Sequence, residues 1–288
     1  MRIVVTGATG NVGRLLVNRL VVDGHDVRAV TRSQSRMGAI PNATMLHLEN
    51  LTSPYDIAHA IDGADAIFLN PRAVGAGYDL LLAVAADRGV RRAVALSAAN
   101  VEEDPSHQPS RFNGDLNTEV EHAVVGSGLE WVALRPTYFS TNAIGMYASQ
   151  IRIGNVVHGP FADFAETPLD LNDVADVAAL ALTGDELVGR KPVLTGPESL
   201  TQSDMVARIG EVLGRRLAFE EVPAEVARQG MLASGLRETF VDAYLARMER
   251  GHSHLAEVGP ELSRVLERRP TTFAEWVAAN AAAFERAA

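Results

Sequence analysis

The run Thr6-Gly7-Ala8-Thr9-Gly10-Asn11-Val12-Gly13 holds three glycines at a spacing of three. It follows an apolar stretch, Arg2-Ile3-Val4-Val5, that reads as a strand. It leads into Arg14-Leu15-Leu16-Val17-Asn18-Arg19-Leu20-Val21, whose apolar positions have helical spacing. Strand, glycine turn and helix together are what a pyrophosphate needs. Gly7 makes the tight turn, Gly10 lets backbone approach the phosphates, and Gly13 lets the helix pack close to the strand. The first turn of the helix then offers free N–H groups and a partial positive charge. Thr9, Asn11 and Val12 complete the expected cradle.

The end of the second strand reads Thr31-Arg32-Ser33, with Arg36 close by. A carboxylate there would grip the ribose hydroxyls of NAD. A guanidinium instead fits a 2′-phosphate in a bidentate way. The expected cofactor is therefore NADP(H), with Arg32 as its selector.

These residues need a frame, and the chain supplies one. Strand patterns at 26–31, 44–48, 64–69, 92–97 and 131–135 alternate with helical patterns near 11–22, 54–61, 76–88 and 115–126. Gly24, Gly63, Gly89 and Gly128 punctuate helix ends. Such alternation predicts an α/β fold, a doubly wound parallel sheet of Rossmann type. After Pro136 the rhythm loosens. A helix near 172–183, a strand near 192–195, a helix at 201–213, a strand at 217–222 and a mostly helical remainder ending over 272–286 are expected. This predicts a small, mostly helical C-terminal lobe. Residues 1–136 read as the dinucleotide-binding core. Residues 137–288 read as the remaining core elements plus a substrate-covering lobe, interleaved with the core as one compact unit.

Composition narrows the function. A net charge of −10 over 288 residues gives no general attraction to nucleic acid or anionic membrane, so no direct nucleic-acid contact is expected. Cysteine is absent, which removes disulfides, zinc–thiolate sites and cysteine nucleophiles. No metal site is expected. No secretory leader pattern and no apolar run of membrane-spanning length is read, so the expected location is cytoplasmic. Lys191 is the only lysine.

Five pieces in order resemble the NmrA-like branch of the atypical short-chain dehydrogenase/reductase superfamily. They are the glycine run, Leu96-Ser97-Ala98-Ala99, Ser127-Gly128-Leu129-Glu130-Trp131 with Leu134-Arg135-Pro136, Leu194 to Thr201, and Thr272-Phe273-Ala274-Glu275-Trp276. The resemblance implies further cofactor contacts. Asn50 and Leu51 stand where an aspartate usually meets the adenine. Asn70 and Pro71 follow the fourth strand. Pro136, Thr137 and Tyr138 follow the sixth, beside the expected nicotinamide.

The superfamily's reductases use Tyr and Lys in YxxxK with a nearby hydroxyl. Here those places fall on Asn113 and Asn117, or on Gly114 and Thr118 in a register shifted by one. Lys191 has Leu187 four residues before it, so YxxxK occurs nowhere in the chain. The hydroxyl place falls near Ala99, with Ser97 close. Candidate catalytic residues are therefore Tyr138, Asn117 and Ser97, with His107, Asp115 and His158 as further acid–base candidates. Phe112, Phe139, Phe161 and Phe164 are expected to line an apolar pocket, and Asn142 to orient a substrate carbonyl. His252-Ser253-His254 reads as surface.

Three readings stand at this point. One is an NADPH-dependent oxidoreductase acting on a small apolar carbonyl or quinone-like substrate. The second is an NADP(H)-binding redox sensor that signals to a protein partner. The third is a non-redox isomerase or lyase. Homodimerisation stays open.

Overall fold

The computed structural model describes residues 1–36, 40–49 and 51–285. The chain divides into two compact units. The first takes Met1–Glu102, Gly114–Pro136 and Leu171–Val193; the second takes Glu103–Asn113, Thr137–Asp170 and Leu194–Ala288.

The strands of the first unit are β1 (Arg2–Thr6), β2 (Asp26–Thr31), β3 (Thr44–His47), β4 (Ala66–Leu69), β5 (Arg92–Leu96) and β6 (Glu130–Pro136). Its helices are α1 (Asn11–Val22), α2 (Pro54–Ile61), α3 (Pro71–Val74), α4 (Tyr78–Asp87) and α5 (Asn117–Gly126). The sheet order is β3-β2-β1-β4-β5-β6, with parallel pairing between each neighbouring pair. This is the doubly wound Rossmann sheet expected from the alternation of elements.

Strand alternation divides the apolar residues between two faces. Val4, Ile67, Leu69, Ala93 and Ala95 form a core with Ile57 and Ile61 of α2, Leu81 and Leu82 of α4, and Val120 and Val124 of α5. A later helix of the same unit, Leu171–Thr183, packs on α1 and contacts β4, β5 and β6. Arg92 closes the lower end of β5. It is wholly buried. Its guanidinium reaches Glu130 at 2.6 Å, Asp185 at 2.5 Å and the carbonyls of Ala181 and Gly184.

Past Pro136 the chain forms β7 (Tyr138–Phe139), α6 (Asn142–Ile153), β8 (Val156–Gly159), β9 (Ala165–Glu166) and β10 (Pro168–Leu169). The Leu171–Thr183 helix is α7. Then come β11 (Val193–Leu194), β12 (Leu200–Thr201), α8 (Gln202–Val212), β13 (Ala218–Glu221), α9 (Ala224–Ala233), α10 (Glu238–Gly251), α11 (Glu261–Leu266) and α12 (Phe273–Ala279). β11 adds a seventh strand beside β6. β7 pairs with β10, β9 with β12 and β8 with β13.

Local chemistry explains several boundaries. Thr201 and Thr272 each form a capping box, with Asp204 and Glu275 respectively. Residues 137–165, which lose their rhythm in sequence, contain α6 and β8. The entry to α6 carries no side-chain cap, so nothing in the local sequence announces it. The helix expected over 272–286 ends at Ala279 and gives way to a tight turn at Ala281–Ala283.

Candidate functional site

The glycine turn is built as a cradle. Gly7 has φ +65°, a conformation that favours glycine. A Cβ there would meet Asn70 and Ala73 at 3.0 Å. A Cβ on Gly13 would collide with the carbonyl of Gly7. Gly10 is the residue before α1, and no side chain caps that helix. The first intrahelical bond runs from Arg14 N–H to the Gly10 carbonyl. The α1 N-terminus is thus left for an anion.

Side chains around the turn hold it rigid. The Thr6 hydroxyl donates to the Phe68 carbonyl and accepts from the Asn70 N–H, both at 2.9 Å, which ties β1 to the β4 turn. Asn70 caps α3 by accepting from the Ala73 N–H, and Pro71 fills its first position. Thr9 and Thr31 share a hydrogen bond of 3.1 Å. Arg36 donates to the Thr9 carbonyl at 3.2 Å, which fixes it over the glycine turn. Arg32 is exposed, and its guanidinium has no partner among the described residues. Val12 and Leu51 are buried, and Asn11 is exposed at the helix entry. Asn50 lies outside the described residues. A dinucleotide therefore fits the first unit: uncapped N–H groups for the pyrophosphate, and a free cation at the end of β2.

Below the carboxyl end of β5 and β6 sits a buried charge cluster. Glu121 of α5 is 1% exposed. It accepts from the Ser97 hydroxyl at 2.5 Å, from Arg135 at 2.6 and 3.1 Å, and lies 2.9 Å from Lys191. Arg135 also reaches Glu102 at 2.7 Å. Burial alone would raise the Glu121 pKa. Arg135, Ser97 and Lys191 outweigh it and hold the carboxyl down at about 2. The only O–H of Ser97 is thereby committed to Glu121, so Ser97 acts here as a strut rather than a donor to substrate. Asn117 begins α5, one turn from Glu121 on the same helix face. Asp115 is held by a bidentate bond to Arg72, at 2.7 Å on each side. Pro136 ends β6 and is buried.

The second unit holds the remaining candidates. Thr137 shares a hydrogen bond of 2.8 Å with Thr167. Tyr138 is buried in a core with Tyr147, Leu200, Met205 and Trp276. Among the described residues, neither its hydroxyl nor that of Ser140 has a hydrogen-bond partner. Burial pushes the phenols of Tyr138 and Tyr147 well above the ordinary tyrosine range. Phe139 is half-buried, as is Phe112 in the turn Pro109–Asn113, which packs on α10. Phe164 is buried beneath Arg247, whose guanidinium carbon stands 5.2 Å from the ring centre. Arg247 makes a bidentate pair with buried Glu166. Phe161 has φ +50° and stacks at 5.3 Å on His252, while Ser253 donates to Asp163 at 2.7 Å. Asn142 is exposed at the start of α6, and His158 pairs with Glu220 at 3.4 Å.

Sequence reading misses Glu121, Glu166, Arg247 and Ser140 as site residues. The ion-pair partners lie 14 residues apart for Arg135–Glu121 and 81 apart for Arg247–Glu166, so no local motif announces them.

A family model described as NAD(P)H-binding matches residues 7–185, and the chain belongs to that family. It is 34% identical to (4-alkanoyl-5-oxo-2,5-dihydrofuran-3-yl)methyl phosphate reductase of Streptomyces griseus, over 98% of this chain and 99% of that protein. It is 27% identical to an NAD(P)H azoreductase of Xenophilus azovorans, over 98% and 99% of the two chains. Among solved structures, an NADPH-dependent quinone oxidoreductase from Escherichia coli superposes with a TM-score of 0.81 at 19% identity, covering 97% of this chain and 99% of that one. That likeness confirms the Rossmann architecture.

Proposed function

We propose that this protein is an NADPH-dependent reductase of a small, neutral carbonyl or quinone-like acceptor, working without a Tyr–Lys pair. The observation that carries the cofactor reading is the free guanidinium of Arg32 at the end of β2, beside the uncapped entry to α1. The reductase step is supported by full-length similarity to proteins named as reductases.

Each group has a defined task. N–H groups at Asn11, Val12 and Gly13 take the pyrophosphate. Arg32 takes the 2′-phosphate, while Arg36 braces the turn through the Thr9 carbonyl. When bound, a reduced nicotinamide supplies the hydride. The acceptor carbon gains that hydride and its oxygen gains a proton. Asn117 is an amide and cannot provide one near neutral pH. Burial keeps Tyr138 protonated, so its phenol meets an acceptor as a hydrogen-bond donor. The proton then comes finally from water.

The test is NADPH oxidation by a panel of aldehydes, ketones, enones and quinones, alongside cofactor titration. A redox sensor is the second reading, favoured by the missing YxxxK. It requires NADPH binding without turnover of any acceptor.

A further inference from the structure

The cation at the end of β2 is held through its backbone, and part of the grip comes from the next strand. Thr31 of β2 pairs with His47 of β3 in parallel register. Just past that pair, the His47 Nε2–H donates to the Arg32 carbonyl at 3.3 Å. A carbonyl only accepts, so this bond sets the ring tautomer with its proton on Nε2. On the other side, the Ser33 N–H donates to the Thr31 hydroxyl oxygen at 3.2 Å. The Arg32 carbonyl and the Ser33 N–H are the two polar ends of one planar peptide unit. That unit is pinned at both ends, by a side chain of β3 and a side chain of β2.

The flanking backbone is fixed as well. The Thr31 carbonyl accepts from the Leu48 N–H at 3.0 Å, and the Ser33 carbonyl accepts from the Arg36 N–H at 3.1 Å. The Arg36 guanidinium is engaged by the Thr9 carbonyl. The Thr31 hydroxyl also meets that of Thr9 at 3.1 Å, so the pinned peptide is tied to the glycine turn. From this braced segment the exposed Arg32 guanidinium projects without a partner among the described residues. A long side chain gives up rotamer freedom when it binds, and freedom of the backbone beneath it adds to that cost. A peptide already fixed removes the backbone share before any ligand arrives.

We propose that His47 is a positioning residue for cofactor choice: its Nε2–H holds the Arg32 peptide so that the guanidinium is aimed at the 2′-phosphate of NADPH. The inference rests on the reading of Arg32 as the cation that meets this phosphate. The neutral ring is not itself a phosphate ligand. With its proton on Nε2, the ring presents only a lone pair at Nδ1, which cannot donate to an anion. Protonation leaves the Nε2–H in place, so the brace works in both charge states. NADH shares the glycine turn but has no 2′-phosphate. The brace therefore acts on one cofactor and not on the other.

His47 is exposed, so its replacement leaves no hole in the core. The test is fluorescence titration of NADPH and NADH against the parent, His47→Ala, His47→Gln, Arg32→Ala and Arg32→Ala combined with His47→Ala. The amide nitrogen of Gln stands in for Nε2, so His47→Gln keeps the donor and discards the ring. His47→Ala should raise the Kd of NADPH by about 3- to 10-fold, the size of one side chain's ordering cost, and leave that of NADH unchanged. His47→Gln should recover most of the loss. In the Arg32→Ala background His47→Ala should add nothing, because no guanidinium is left to aim.

Equal weakening of NADPH and NADH by His47→Ala overturns the proposal, since it marks a general loss of structure at the end of β3. Unchanged NADPH affinity overturns it too. So does a loss in His47→Gln as large as that in His47→Ala, which would make the ring itself a phosphate ligand. A loss of the same size in the Arg32→Ala background also overturns it. If Arg32→Ala leaves the preference for NADPH intact, the reading of Arg32 falls and the inference falls with it. If Arg32→Ala removes the preference and His47→Ala does not reduce it, the inference alone falls.

Discussion

The chain's only lysine, Lys191, stands 2.9 Å from Glu121, a carboxylate buried one turn along α5 from Asn117. The superfamily resemblance places a lysine at Asn117. Here the cation reaches the same helix face from the segment that precedes β11. It serves a buried carboxylate that also receives Ser97 and Arg135. Lys191 therefore stabilises the floor beneath the carboxyl edge of β5 and β6.

The Glu121 cluster sets an acid limit on stability. Its carboxyl has a folded pKa of about 2, below the ordinary carboxylate value. A depressed folded pKa gives stabilisation that is fully present above the unfolded pKa and lost as pH falls through the folded one. Stability should hold near neutrality and decline from about pH 4.5 toward pH 2. Glu121→Ala should cost about 3–5 kcal/mol at neutral pH, because it leaves Arg135 and Lys191 without their buried counter-charge. It should also flatten the acid decline. Denaturant unfolding across that range checks both, and an unchanged acid profile in the variant contradicts the assignment.

The glycines of the turn separate fold from binding. Gly13→Ala drives a Cβ into the Gly7 carbonyl, so it should lower the melting temperature even without cofactor. A Cβ on Gly10 stands 3.1 Å from the same carbonyl, a tight but adjustable contact. Gly10→Val should leave the protein largely folded while abolishing NADPH binding, because its side chain occupies the approach of the pyrophosphate. Circular dichroism melts with cofactor titration distinguish the two.

Arg32→Ala should weaken NADPH by about 1.5–3 kcal/mol, the value of a hydrogen bond to a charged group, and leave NADH nearly unaffected. Arg36→Ala should weaken both cofactors, since its bond goes to the Thr9 carbonyl of the turn they share. Fluorescence titration of the two cofactors against each variant reads this directly. Equal affinity of the parent for NADPH and NADH contradicts the selector role of Arg32.

The sheet was legible because β1, β4 and β5 are short, buried apolar runs, and the glycines Gly24, Gly63, Gly89 and Gly128 punctuate the chain between its elements. The 11–22 and 54–61 helical patterns coincide with α1 and α2, and the glycine run forms the turn that it spells. The second unit was less legible. α6 begins without a side-chain cap, and β7, β9 and β10 are two residues long, too short for a period-two pattern to emerge. Its polar groups were hidden for another reason. The Arg247–Glu166 pair and the unpartnered hydroxyl of Ser140 depend on tertiary burial, which a Ser or Arg on its own does not signal in sequence.

Tyr138 gives a kinetic prediction. As a hydrogen-bond donor that keeps its proton, it should tolerate Tyr138→Phe with a loss in kcat/KM of about 10-fold. A group that surrenders its proton in the reaction would lose about 10²–10⁴-fold in kcat. Asn117→Ala should affect turnover less than Tyr138→Phe. A larger loss in Asn117→Ala would move the chemistry to the start of α5.

Hydride transfer from NADPH leaves an isotopic mark on its product. NADPH carrying deuterium at nicotinamide C4, in separate samples for each face, should be incubated with the protein and a panel of aldehydes, ketones and enones. Product with one carbon-bound deuterium is expected from one face only, and none from the other. Tight NADPH binding with no deuterium in any product, and no NADPH oxidation by quinones, would contradict it.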